Sequence, residues 1–148
     1  MKESLYIGID PGKSGAIAFL PADGDPWTVK NDNTDHDLAE AVKDAIGMHP
    51  QSYAIIERVH SSPQMGVRSA FSFGQSFGKL EMLLAALSVP YEAVSPSKWQ
   101  GDMKCRTGGD KNITKAAAQR LFPNIKITHA NADALLLAEY ANRVYNNR

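Results

Sequence analysis

The sequence predicts an α/β fold built on a mixed five-stranded sheet, three antiparallel strands followed by parallel ones, with helices on both faces. Three observations point there. Two short β-prone runs at the start flank a Pro/Gly turn, and a third run follows them closely. Residues 53–57 form an apolar run without alternation, as expected of a strand buried on both faces. Beyond it, segments of helical period alternate with strands. A chain of 148 residues can bury one substantial core, so a single domain over 1–148 is expected.

Taken in order, residues 5–9 run into Asp10, the turn Pro11-Gly-Lys-Ser-Gly15 follows, and residues 16–20 leave it as the second arm of a hairpin. Asp23-Gly-Asp-Pro26 is a turn before a third antiparallel strand at 27–30. Thr34 or Asp35 caps a helix carrying Leu38, Ala41, Val42, Ala45 and Ile46 at helical spacing, and Gly47 ends it. The strand 53–57 leads into a polar loop, residues 60–68. A long helix over 67–87 then carries Phe73, Phe77, Leu80, Leu84 and Leu87 as one apolar stripe. Residues 91–94 are the fifth strand, and Ser95-Pro-Ser-Lys-Trp99 opens a short helix. Gly108-Gly-Asp110 is a flexible break, Lys111 begins a helix stopped by Pro123, and Thr128 caps the last one.

Composition narrows the class. Apolar residues are 43% and charged residues 22% of the chain, an ordinary balance for a globular protein. No apolar run approaches the ~20 residues of a membrane span. The first residues lead directly into a strand, so no signal peptide and a cytoplasmic location, in a bacterium or a phage-infected host, are expected. One cysteine, Cys105, excludes a disulfide framework and a multi-cysteine zinc site, and is expected to be an incidental thiol in a polar loop. The net charge is zero, but acids crowd residues 23–44 and bases crowd 98–120. Such separation can make one face positive, and a solvated helix face accounts for it equally well.

The chemistry lies in the acids. Asp10 closes the first apolar strand, where it is either a turn-capping residue or a buried carboxylate needing a partner; that stretch alone favours neither. Glu57 closes the fourth strand. If the two strands are neighbours, both carboxylates emerge at one edge of the sheet. Asp133 precedes the apolar stretch of the last helix, with His129 one turn earlier on the same face. Each has a plainer reading: Glu57 paired with Arg58 or a lysine, Asp133 as a first-turn helix acid, His129 as a loop histidine. The conjunction of the three acids is harder to dismiss. Converging carboxylates repel and raise one another's pKa. A divalent cation removes that conflict, and hard oxygen ligands select magnesium or manganese.

Five stretches together carry a resemblance: Ile7-Gly-Ile-Asp-Pro-Gly-Lys-Ser-Gly-Ala16, Ala54-Ile-Ile-Glu-Arg-Val59, Phe71-Ser-Phe-Gly-Gln-Ser-Phe-Gly-Lys79, Val94-Ser-Pro-Ser-Lys-Trp99 and His129-Ala-Asn-Ala-Asp-Ala-Leu-Leu-Leu-Ala138. In this order, over nearly the whole chain, they resemble the RuvC-type Holliday-junction resolvases, particularly compact phage-like members of the ribonuclease H-like superfamily. The resemblance implies a ribonuclease H-like fold, a homodimer, and cleavage of four-way DNA junctions with two magnesium ions (manganese may substitute) per site. It implies that Asp10 is the ligand shared by both metals, Glu57 the second acid and Asp133 the acid of the last helix. The family places a fourth acid shortly before that last one. Here Ala130 and His129 stand in that region, and the role is assigned to His129, as in some relatives.

The activity so implied is phosphodiester hydrolysis by paired symmetric nicks, giving 5′-phosphate and 3′-hydroxyl ends. Lys98, Lys111 and Lys115 are candidates for holding phosphates. By resemblance the 60–68 loop reaches the junction, His60 stacking on a base and Arg68 binding DNA beside it. The expected dimer is built on the 67–87 helix. There Phe71, Met82 and Leu83 lie off the apolar stripe, and Gly74 and Gly78 leave room for close approach. Asp10-Pro-Gly-Lys-Ser-Gly15 also looks like the first phosphate loop of sugar kinases and actin-like ATPases, but those need two such domains. A ribosomal-RNA-processing nuclease of the same superfamily and a non-catalytic junction-binding module remain as alternatives. The three acids argue against the latter, since binding a phosphate backbone does not require them.

Overall fold

The computed structural model describes residues 3–147. Its elements are β1 (Ser4–Asp10), β2 (Ala16–Pro21), β3 (Trp27–Lys30), α1 (Asp35–Met48), β4 (Gln51–Glu57), α2 (Val67–Ala86), β5 (Tyr91–Val94), α3 (Pro96–Asp102), α4 (Lys111–Leu121) and α5 (His129–Asn146). One sheet takes the order β3-β2-β1-β4-β5. β1 pairs antiparallel with β2, and β2 with β3, while β1–β4 and β4–β5 are parallel. This is the mixed sheet expected from the sequence.

The two-residue period of the strands divides the core. Leu5, Ile7 and Ile9 of β1 face one way and pack with Ile17, Phe19, Ala54 and Ile56 under α1 and α2. Tyr6 points the other way, with Ala16, Ala18 and Ile55, under α3, α4 and α5. α5 lies across β1, β2 and β4; Ala134, Leu135, Leu136, Leu137 and Ala138 are all fully buried there, whichever way they point. A helix apolar on nearly every side is one enclosed on nearly every side.

The helix ends follow their side chains. Thr34, not Asp35, caps α1 by accepting from the Asp37 N–H, and Ser95, Asp110 and Thr128 do the same for α3, α4 and α5. Asn131 completes a capping box with Thr128. Four local expectations are corrected. Gly47 does not end α1, which runs through Met48 and closes on the His49 N–H. In α2 the buried positions are Ser76, Leu80 and Leu84; Phe73 stays 37% exposed because it lies beyond the sheet edge, against Gly12. Leu83 packs on the core rather than lying off the stripe. Cys105 is buried in the α5-side core instead of lying free in a polar loop. None of the described helices is long and apolar enough to cross a membrane.

Candidate active site

β1 and β4 are parallel neighbours in a register that sets Ile9 beside Ile56. Carried one residue further, it sets Asp10 beside Glu57, where both strands end at the same sheet edge. Asp10 lies two residues beyond Gly8 and Glu57 two beyond Ile55, so both carboxylates belong to the α5 face. Gly8 is what brings α5 down to them. A Cβ at Gly8 would lie 2.2 Å from both the Ala134 carbonyl oxygen and the Ala138 nitrogen. With only hydrogen there, the helix backbone rests on the strand, and Asp133, adjacent to Ala134, is delivered beside Asp10. Asp133 is the fifth residue of α5, and no acid occupies that helix's first turn. The helix-dipole reading therefore does not apply to it.

A cavity of about 330 Å³ opens at this point, lined by Asp10, Ser14, Lys111, Thr114, His129 and Asp133. The plainer reading of Glu57, paired with Arg58 or a lysine, is not what the structure shows. Glu57 accepts a 2.8 Å hydrogen bond from the indole N–H of the fully buried Trp99, while Arg58 donates to the Ala93 carbonyl. Burial, then the Glu57 and Asp133 charges, hold the Asp10 carboxyl well above the usual carboxylate range, Lys111 opposing. Burial pushes Glu57 up to about 7, against the pull of the Trp99 bond and with the help of Asp133. Asp133 is raised by burial, which the neighbouring Thr114 hydroxyl and the charges of Lys111 and His129 partly offset.

These shifts predict an inverted pH dependence for the metal-free protein. A carboxyl whose pKa rises on folding stabilises the native state while protonated, and that contribution is lost as pH rises through the folded value. For Glu57 the window runs from 4.5 to about 7, and complete loss amounts to at most about 3 kcal/mol. The chelated protein should therefore melt lower at pH 8 than at pH 5. Glu57→Gln should flatten this dependence, and added magnesium should restore the Tm at pH 8 by mass action. A Tm that climbs steadily from pH 5 to 8 without metal would contradict the arrangement.

The turn bearing Asp10 is held by residues that sequence reading passed over. The side-chain amide of Asn31, 4% exposed at the end of β3, donates to the carbonyls of Asp10 at 2.7 Å and Gly12 at 2.8 Å. The Gly12 N–H donates to the buried Ser76 hydroxyl of α2 at 2.9 Å. Gly12 itself sits at φ +102°, where a side chain would be strained. Trp99 and Ser76 lie within the stretches that carry the resemblance but have no role assigned there, and Thr114 reads only as a helix residue. Strand pairing offered a signal for Asn31, since it directly follows Lys30, the partner of Ala16. For Thr114 no local signal exists.

The remaining candidates divide. Lys111 lines the carboxylate cavity from the first turn of α4, with Lys115 one turn further along. His129 lines it too. Lys98 lies elsewhere, in a cleft with Arg58 and Tyr140, and is paired at 2.9 Å with Asp102, which also accepts from the Tyr140 hydroxyl at 2.6 Å. His60 is exposed in the segment after β4, and Arg68 is exposed in the first turn of α2.

Among the described residues, no three His, Cys, Asp or Glu side chains form a ready-made metal group. In chemistry the donor set nevertheless fits a hard divalent cation. Asp10, Glu57 and Asp133 are oxygen donors whose charges burial penalises, with repulsion from neighbouring acids adding at Asp10 and Glu57, and a cation reverses that penalty.

The backbone as a whole matches solved structures of Thermus thermophilus RuvC. One aligns over 95% of this chain and 96% of its own at a TM-score of 0.66 and 16% identity. The chain has the RuvC fold. A second structure, T. thermophilus RuvC in complex with Holliday junction substrate, covers 99% of this chain and 97% of its own at the same TM-score and 14% identity. The ribonuclease H-like architecture expected from the sequence is thus the one observed. No protein-family model matches the chain, and no curated protein matches its sequence.

Proposed function

We propose that this chain is a single-domain, divalent-metal-dependent endonuclease that resolves four-way DNA junctions by paired nicks, leaving 5′-phosphate and 3′-hydroxyl ends. The observation that carries the reading is the meeting of Asp10, Glu57 and Asp133, drawn from two strand ends and one helix, where burial raises all three pKa values and neighbouring acid charge raises those of Asp10 and Glu57 further. The RuvC fold, seen with a Holliday junction in T. thermophilus RuvC, supports the choice of substrate.

Asp10, Glu57 and Asp133, with His129 as the fourth ligand, would hold two magnesium or manganese ions. When bound, these would supply activation of the attacking water and stabilisation of the leaving oxygen. The chain's own residues prepare the site. Trp99 fixes one oxygen of Glu57, leaving the other without that bond. Thr114 lies beside Asp133 and lowers its pKa, and Asn31 and Ser76 hold the turn that aims Asp10. Lys111, at the cavity mouth, balances part of the acid charge and can take a phosphate oxygen.

Incubating the protein with labelled four-way junction, duplex, fork and structured RNA, with and without magnesium, tests the reading. Magnesium-dependent, symmetric incision of the junction is expected. Preferential cutting of structured RNA would replace the proposal with an RNA-processing nuclease, and tight junction binding without incision would leave a binding module. Lys111→Ala and Lys115→Ala should each shallow the salt dependence of junction binding by about one unit, equally for junctions of different sequence. Lys98→Ala should do less, since Lys98 is already paired with Asp102. Equal slopes for all three would mean that this pairing does not matter.

We also propose a homodimer through α2, because two equivalent strands at a junction call for two sites related by a two-fold axis. Val67, Phe71, Gly74, Gly78 and Met82 recur at three- and four-residue steps on the face opposite Leu80 and Leu84. Phe71 is 69% and Met82 66% exposed, and a Cβ at Gly74 or Gly78 would meet nothing within 4 Å. Gly78→Trp should give a folded monomer in sedimentation that loses paired incision. A monomeric wild type at micromolar concentration, with and without junction DNA, would count against the dimer.

A further inference from the structure

The turn that carries Asp10 separates two cavities. On one side is the carboxylate cavity. On the other is a groove of about 400 Å³ between the turn and the start of α2, lined by Lys13, Ser14, Arg68, Ser69, Ser72 and Phe73 and backed by Gly12. Ser14 lines both, so it forms the ridge between them. The two cavities are opposite in charge. The groove lining holds two cations, three hydroxyls and no acid, and among the described residues neither Lys13 nor Arg68 is held in an ion pair. Such a lining takes a phosphate without help from a metal.

Phe73 adds a second kind of contact. It is a large apolar side chain left 37% exposed, and its ring lies against the backbone at Gly12, with the nearest carbon 3.2 Å from where a Cβ would stand. The bond from Gly12 to Ser76 and the bond from Asn31 fix that backbone, so the ring rests on a rigid support. An exposed, backed ring beside cations and hydroxyls is the composition of a nucleotide platform, with stacking on one side and phosphate contacts on the other.

We propose that this groove is a second nucleotide subsite of the same cleft: the substrate strand crosses the Ser14 ridge, Lys13 and Arg68 take the phosphodiester flanking the scissile one, and Phe73 stacks on the base. The proposal rests on the nuclease reading above and adds the direction in which the strand leaves the carboxylates. It also gives Arg68 a specific role apart from the 60–68 loop.

The test uses the full chain and a four-way junction whose incision point has first been mapped with the wild type. 2-Aminopurine is then placed in turn at each position near the scissile phosphate, and binding is followed in chelator. One flanking position should lose fluorescence on binding wild type and regain it with Phe73→Ala. The Lys13→Ala/Arg68→Ala double variant should shallow the salt slope of binding by about one unit, since both cations serve one phosphate. All three side chains lie at the surface, and the thermal midpoints of the variants are measured alongside to establish that they fold. Junction incision by the wild type with no position sensitive to Phe73 and an unchanged salt slope would overturn the subsite and leave the nuclease reading standing. Displacement of the 2-aminopurine signal by millimolar inorganic phosphate would show a lone-phosphate site and equally overturn the strand path. A wild type that neither binds nor cuts branched DNA would remove both.

Discussion

Asp10→Asn is expected to lower junction cleavage by at least about a thousandfold while leaving junction binding intact and the metal-free protein no less stable. The exchange keeps the shape of the side chain and leaves the Asp10 carbonyl on Asn31 untouched. It removes the charge that the site least tolerates without a cation: Asp10 is raised by burial and by both other acids. Its loss should raise the Tm of the chelated protein at pH 8 relative to wild type, and magnesium should then stabilise the variant less. The two readouts move in opposite directions, which a general folding defect cannot imitate. Cleavage near the wild-type rate would remove Asp10 from the mechanism, and a sharply lower Tm without metal would mean that the carboxylate is held by a partner rather than opposed by its neighbours.

The second large effect is expected at a residue with no reactive group. Gly8→Ala would place its Cβ 2.2 Å from two backbone atoms of α5, a carbonyl oxygen and an amide nitrogen. No rotamer change relieves a clash with backbone, so either the helix lifts from β1 or the strand bends. Both disturb the centre of the α5-side core, where Leu135, Leu137 and Ala138 are fully buried. A loss of about 3 kcal/mol or more is expected, at or above the upper end for overpacked cores. Since α5 carries Asp133, any folded Gly8→Ala protein should also lose magnesium stabilisation and cleavage. Gly47→Ala in α1 is the control: nothing lies within 4 Å of its added Cβ, and replacing a helical glycine with alanine should gain up to about 0.5–1 kcal/mol. A denaturation midpoint for Gly8→Ala equal to wild type would mean that α5 does not rest on β1 as described.

What was legible in the sequence was what short-range physics controls. Alternation, helical spacing and capping residues placed β1 to β5 and the helices, because each depends on a few neighbouring residues and on backbone stereochemistry. Capping pointed to Thr34 or Asp35 and to Thr128 for the same reason. The acids could be picked out because a carboxylate beside an apolar run is conspicuous, and the five motifs in order supplied the ribonuclease H-like expectation that the backbone comparison bears out.

Other features depend on which distant residues meet, and no local pattern carries that information. Nothing around Gly8 distinguishes a glycine required by a helix from one merely tolerated in a strand; contact with Ala134 and Ala138 decides it. Taken alone, Glu57 could be read as paired with Arg58 or a lysine, yet adjacent strand residues point to opposite faces, and the partner proved to be Trp99, 42 residues away. Phe73 followed the period of the buried stripe but lies past the sheet edge, where nothing remains to cover it. By itself the sequence determined the elements and their order, and singled out the acids proposed as ligands. Only the tertiary structure decided how those acids are raised, steadied and brought to one edge, because burial and charge coupling are properties of distances through space and not of spacing along the chain.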